Sequence, residues 1–242
     1  DDEGFDGRRP KLDPFVVGEE VKFAIQYLGV KAGELKLKVL PFKLVNGRKS
    51  YHFRTEIVSN SAYSMIYEVE DWAESYVDYE TLLPFNYTLH VNHTNEKKQI
   101  KSVFDHPKNI VKVWEKKIDD EGKTKKRSYD WEMIPYSQNV ISIFYYLRNF
   151  QLKVGKVIKF PMTDEDNNLI LEAHVVRKEK IELPSGKMQS AFVVKPKVTI
   201  KGKFKPVGDV FLWFSDDNRK QILRVESALK IGKLKFNLIS IK

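Results

Sequence analysis

The 242-residue chain contains no cysteine. That absence excludes disulfides, thiolate metal sites and cysteine nucleophiles together, and it leaves the redox compartment open. No apolar run reaches the ~18 residues needed to cross a bilayer. The longest lies in NVISIFYYL (139–147), which is short and amphipathic. The GxSxG elbow and the GxGxxG and GxxxxGK phosphate loops are absent too, so the usual marks of serine hydrolases and nucleotide binders are missing. Histidine is scarce. His90 and His93 stand three apart, which in a strand sends them to opposite faces, and His52, His106 and His174 show no acidic or histidine partner at ligand spacing. No metal or other cofactor is expected.

What the chain does have is alternation. Val21, Phe23, Ile25 and Tyr27 share one parity and Lys22, Ala24 and Gln26 the other, as in a strand with one wet face. Leu35, Leu37 and Val39 alternate with Lys36 and Lys38 in the next segment, and Gly33 between the two marks a tight connection or a bulge. Similar runs recur to the end of the chain, among them SMIYEVE, NIVKVWEKK, LILEAHVVRKEKIEL and DVFLWFS. Turn residues separate many of them: Asn46–Gly47, Gly122, Asp164 to Asn168, Gly186 and Asp217. Aromatic residues at 12% favour pleated, half-buried surfaces. The expected fold is all-β, an antiparallel meander forming a barrel-like structure or a two-sheet sandwich.

PYSQNVISIFYYLRNF breaks the pattern. Val140, Ile143, Phe144 and Leu147 recur at helical spacing, Ser137 is an N-cap candidate and Asn149 a terminator, which predicts one amphipathic helix over about 137–148. The polar run DDEGFDGRRPKLD (1–13) reads as a linker, and its start without Met fits a processed, exported protein. The remainder, 14–242, is either one β-rich domain or two halves, 14–134 and 150–242, joined by the helix. VKAGELKLKVL (30–40) and LKIGKLKFNLI (229–239) are near copies. As neighbours they would close a barrel, removing two exposed edges; in separate sheets they would reflect pseudo-symmetry.

PFVVGEEVKFAIQYLGVKAGELKLKV, NVISIFYYLRNFQLKVGKVIKFPM and VFLWFSDDNRKQILRVESALKIGKLKFNLI occur in this order. Together they resemble a bacterial envelope family, domain-of-unknown-function family 3108, from about Pro14 onward. The resemblance implies an exported protein of a Gram-negative periplasm or outer membrane, freed of its signal peptide. It implies no activity. The family pattern often carries an acidic residue before the helix, where this chain has Asn139.

The remaining candidates are polar. Lys195, Lys197, Lys201, Lys203 and Lys205 share one parity and Val194, Val198, Ile200 and Phe204 the other, so an extended segment would present an anion-binding face or simply a solvated one. Lys36, Lys38, Lys233 and Lys235 would extend that face if their strands were adjacent. Arg148, at the helix end, and Asp217, in the SDD turn, lie within the family-like motifs as binding candidates. The aromatics alternate inward, away from the lysines, which argues against nucleic acid. The net charge of +9 suits anionic partners.

The expectation is a non-enzymatic periplasmic protein, outer-membrane associated in one variant, that binds an anionic envelope lipid, a glycan or another envelope component. The alternatives are an adaptor that docks an envelope protein and a hydrolase that uses turn carboxylates such as Asp71, Glu74, Asp78, Asp216 and Asp217. A carrier requires an internal cavity of roughly several hundred Å3. An adaptor requires a filled core with an exposed apolar patch, and a hydrolase two converging carboxylates.

Overall fold

The computed structural model describes residues 13–65, 67–164, 167–200, 203–205, 210–228 and 233–242. The expected linker, apart from Asp13, therefore lies outside the described residues, as do Lys201 and residues 229–232 of the second near copy. The strands are β1 (Glu20–Tyr27), β2 (Val30–Val45), β3 (Arg48–Ser59), β4 (Glu70–Asp78), β5 (Asn86–Asn92), β6 (Lys97–Asp105), β7 (Ile110–Ile118) and β8 (Thr124–Glu132). After the helical segment come β9 (Val157–Asp164), β10 (Asn167–Glu182), β11 (Met188–Ile200), β12 (Lys203–Lys205), β13 (Val210–Ser215), β14 (Ile222–Ala228) and β15 (Lys233–Ile241). All belong to one sheet, and the strand-to-strand pairings are antiparallel.

Local chemistry fixes the hairpins. Leu28 and Gly29 (φ 49° and 82°) join β1 to β2, and Asn46 and Gly47 (φ 52° and 75°) join β2 to β3. Two residues of positive φ make the turn whose twist matches that of the flanking strands. Gly33 is not the turn but part of β2, beside a bulge opposite Ile25 and Gln26. A Cβ there would lie 2.3 Å from the Val58 carbonyl oxygen of the adjacent strand, so only glycine fits. SMIYEVE is not a strand. Asn60 accepts a hydrogen bond from the Tyr63 N–H (2.8 Å) and caps a single helical turn, α1 (Ser61–Ser64), so β4 begins only at Glu70.

The strand order runs β8-β7-β6-β5-β4-β3-β2-β1-β15-β14-β13-β11-β10-β9, with β12 beside β11. The chain thus builds one meander outward from β1, crosses through the helical segment to the far edge, and builds a second meander back to β1. The two near copies are neither neighbours nor in separate sheets: β2 and β15 flank β1 on either side, with Phe23 opposite Leu35 in one and Leu238 in the other. The architecture is barrel-like, but the sheet does not close into a continuous ladder. Gln138 crosses between the edges β8 and β9 through one parallel bridge to Met162, donating its N–H to the Pro161 carbonyl (2.9 Å) and accepting from the Thr163 N–H (2.8 Å).

The helix is shorter than expected. α2 spans Ser142–Tyr146 and runs into a 3-10 turn at Leu147–Asn149. Ser137 does not cap it. Asn139 does that work, its Oδ1 accepting from the N–H groups of Ile141 (3.0 Å) and Ser142 (2.8 Å). Asn149 closes the segment as expected, its amide donating to the carbonyls of Tyr145 and Tyr146. The main core surrounds this segment and draws on both meanders, from Val21, Phe23, Tyr51 and Phe53 to Phe160, Leu171, Val194 and Phe214.

Candidate ligand-binding site

Arg148 sets the position of the helical segment. Its side chain is 4% exposed and forms a two-pronged pair with Glu19, whose side chain is 2% exposed, at 2.6 and 2.9 Å. It also donates to the Pro14 carbonyl (2.7 Å) and, through Nε, to the Arg219 carbonyl (2.8 Å). Asp217 organises the turn that offers that carbonyl. Its Oδ1 accepts from the Ser215 hydroxyl and from the N–H groups of Arg219 and Lys220, each at 2.9 Å. The two binding candidates of the family-like motifs are thus brought together in a clamp that joins the segment before β1, the helix and the β13–β14 turn. Burial holds the Lys220 ammonium below its ordinary pKa, helped by Arg148 and opposed by Asp217.

One side of the helical segment is packed tightly. Tyr145 stacks on Phe53 with centroids 3.7 Å apart and donates to the Lys38 carbonyl (3.1 Å). Burial pushes its hydroxyl pKa well above the ordinary value. The other side is open. Ile143, Phe144 and Leu147 face Met162, Leu169, Leu171, Val198, Leu212 and Val225 of the second meander across a cavity of about 600 Å3. Asp164 and Asn167, where β9 meets β10, add the polar part of its wall. Three of the four residues expected to form the helix's apolar face thus line a cavity. Its size lies within the ~300–1,000 Å3 typical of small-molecule sites, and its aliphatic wall suits an apolar ligand.

The lysines do not form one pool of charge. Lys195 and Lys197 project from the face of β11 opposite buried Val194 and Val198, as their parity requires. Lys195 lies over Phe211 (5.3 Å), and Lys197 sits opposite Glu172, which already binds Lys159 and His174. Lys203 falls in β12. Lys36 lies between Lys22 and Glu56, and Lys235 between Gln26 and Glu226, on strands that β1 separates. Acidic residues interleave throughout: Lys22 and Lys31 bind Glu34, and Lys38 and Arg54 bind Glu56.

Histidines do acquire acidic partners, mostly across strands: His52 with Glu74 (2.9 Å), His93 with Asp71 (2.9 Å) and His174 with Glu172 (3.0 Å). The first two pairs cross strands and are invisible to sequence spacing, whereas Glu172 stands two before His174 on one face of β10, contrary to the expectation that His174 has no acidic partner at ligand spacing. Among the described residues no three His, Asp or Glu side chains gather as a metal site.

Fold and cavity together define a class: an open, barrel-like antiparallel sheet curled round one short helix. Within that class the chain belongs to the family described as protein of unknown function, DUF3108, which matches residues 22–239. The fold is also similar to a crystal structure of a beta-barrel-like protein of domain of unknown function DUF1849 from Brucella abortus. The TM-score is 0.55 at 9% identity, covering 93% of this chain and 97% of that one. Weaker likenesses, too low to bear on the argument, connect it to a candidate lipoprotein from Parabacteroides distasonis (TM-score 0.41, 12% identity, 97% and 98% covered) and to a candidate exported protein with a YmcC-like fold from Bacteroides fragilis (0.40, 10%, 97% and 98%). Among curated proteins none matches the chain.

Proposed function

We propose that the protein is a non-enzymatic, exported component of the bacterial cell envelope, working in the periplasm, that holds the apolar part of a lipid in the cavity beneath α2. The observation that carries this reading is the cavity itself: about 600 Å3 walled mainly by aliphatic side chains. An adaptor with a filled core has no use for such a space. A hydrolase needs two free, converging carboxylates, whereas here Asp71, Glu74, Asp78 and Asp216 are each engaged by a cationic or histidine side chain, and Asp217 caps its own turn.

Native mass spectrometry of protein purified gently from its own source, followed by denaturing extraction, tests the proposal. A stoichiometric lipid is expected, and Leu171→Trp, which fills the cavity, should abolish it. A clean apo mass that survives mixing with envelope lipid extract would overturn the reading.

A further inference from the structure

A second concave site lies on the first meander, on the sheet face opposite the core. It is a groove of about 610 Å3 that crosses β4 to β8. Strand register sets its floor: Trp72 lies opposite His90, His90 opposite Gln99, Gln99 opposite Lys116 and Lys116 opposite Lys126, while Thr88, Lys101, Trp114 and Ser128 form the neighbouring row. The inward alternation of aromatics therefore fails here, because two indoles share a face with lysines.

The charge on this face is unbalanced. Lys116 and Lys126 stand directly opposite each other, an arrangement that costs stability. Neither they nor Lys101 has an acidic partner among the described residues. Glu115, between Trp114 and Lys116 in β7, alternates to the other face, where both prongs of Arg127 bind it (2.9 and 2.7 Å). Lysine repulsion left uncompensated in the free protein is relieved by an anion.

The two indoles differ. Trp72 is enclosed between His90, stacked at 5.5 Å, and Arg54, 4.4 Å from its ring centre. Trp114 is 47% exposed and is flanked in register by Lys101 and Ser128. A single-stranded nucleic acid needs successive open aromatic faces, and the groove offers one. A bilayer surface is planar and does not reach the floor of a groove. A sugar chain can enter, lay one ring on an indole, and use the hydroxyl and amide groups of Thr88, Ser128 and Gln99. We propose that this groove binds an anionic glycan, with its acidic groups held by Lys101, Lys116 and Lys126 and one sugar ring lying on Trp114. This site is separate from the cavity and does not depend on what the cavity holds.

Calorimetric titration with hexagalacturonate, a carboxylate-bearing oligosaccharide, tests the proposal. Binding is expected to weaken as salt is raised and to fall about tenfold or more in Trp114→Ala. The triple variant Lys101→Gln, Lys116→Gln, Lys126→Gln should lose binding yet melt no lower than the parent, since it removes a repulsion. Leu171→Trp should leave glycan binding intact, which separates this site from the lipid reading. The proposal is overturned if hexagalacturonate does not bind at low salt, if neutral maltohexaose binds equally well, or if neither groove variant changes affinity. It is equally overturned if oligothymidylate or phosphatidylglycerol vesicles engage these residues and hexagalacturonate does not.

Discussion

The two meanders that spread from β1 receive the same helix in different ways. Against the first, the contact is aromatic: Tyr145 stacks on Phe53, and Phe15 packs edge-on to Tyr51, Phe53 and Tyr145 with centroids 5.1 to 5.9 Å apart. Against the second, Tyr146 packs edge-on to Phe160 at 5.1 Å, but Ile143, Phe144 and Leu147 face mostly aliphatic side chains that stop short and leave the cavity. Where two rings meet they bridge helix and sheet, whereas Leu and Val across from the helix do not. The division teaches where capacity resides: both meanders hold the helix, the second through Phe160 and the Arg219 carbonyl, but only the second keeps room for a guest.

The sharpest way to break that division is to release the anchor. Arg148→Ala leaves Glu19 buried without its cation and frees the Pro14 and Arg219 carbonyls, so a loss of about 3–5 kcal/mol is expected in chemical denaturation. Replacing both members, Glu19→Gln with Arg148→Met, should cost much less than the sum of the single changes. A double-mutant cycle showing simple additivity would remove Arg148 and Glu19 as a coupled clamp.

Filling the second side tests the comparison from the other direction. Leu212→Phe adds ring volume where the cavity wall is aliphatic. If the space is a true void, the variant gains about 0.5–2 kcal/mol and loses bound lipid. If the wall is already close-packed, the same change costs about 1–3 kcal/mol through overpacking, and denaturation curves distinguish the two by sign.

Much of this architecture was legible because its causes are local. Asn46–Gly47 and the alternation of β1 read directly as a turn and a half-buried strand, and Ile143, Phe144 and Leu147 announced an apolar face, though not that part of it would face empty space. What escaped depends on long-range pairing. Glu19 and Arg148 lie 129 residues apart. The capping role of Asn139 likewise needs the fold: its amide donates to Ser75 Oγ (2.8 Å) and the Asn86 carbonyl (3.2 Å), bonds a carboxylate cannot donate. The groove does leave a signal in the sequence. In NIVKVWEKK, Trp114 has the parity of Lys112 and Lys116, so an aromatic on a basic face was readable before its neighbours were known.

The smallest expected effect concerns the face around β1, where the charges balance, in contrast to the groove. Hydrogen bonds from Lys22 and Lys31 hold the Glu34 carboxyl below its ordinary pKa of 4.5. Burial alone would raise that of Glu56, but its bonds to Lys38 and Arg54 prevail and lower it. A carboxylate depressed in the folded state contributes stability above its unfolded pKa and loses it as pH falls through the folded value. Glu34→Gln should therefore be less stable than the parent at pH 7, by no more than about 1 kcal/mol for so exposed a pair, and the difference should vanish at pH values below the folded pKa. The groove lysines have no carboxylate to lose, so Lys116→Gln should melt no lower than the parent at pH 7, the opposite sign to Glu34→Gln. Melting series of the two variants at pH 7 decide whether paired and unpaired charge divide between the faces as described.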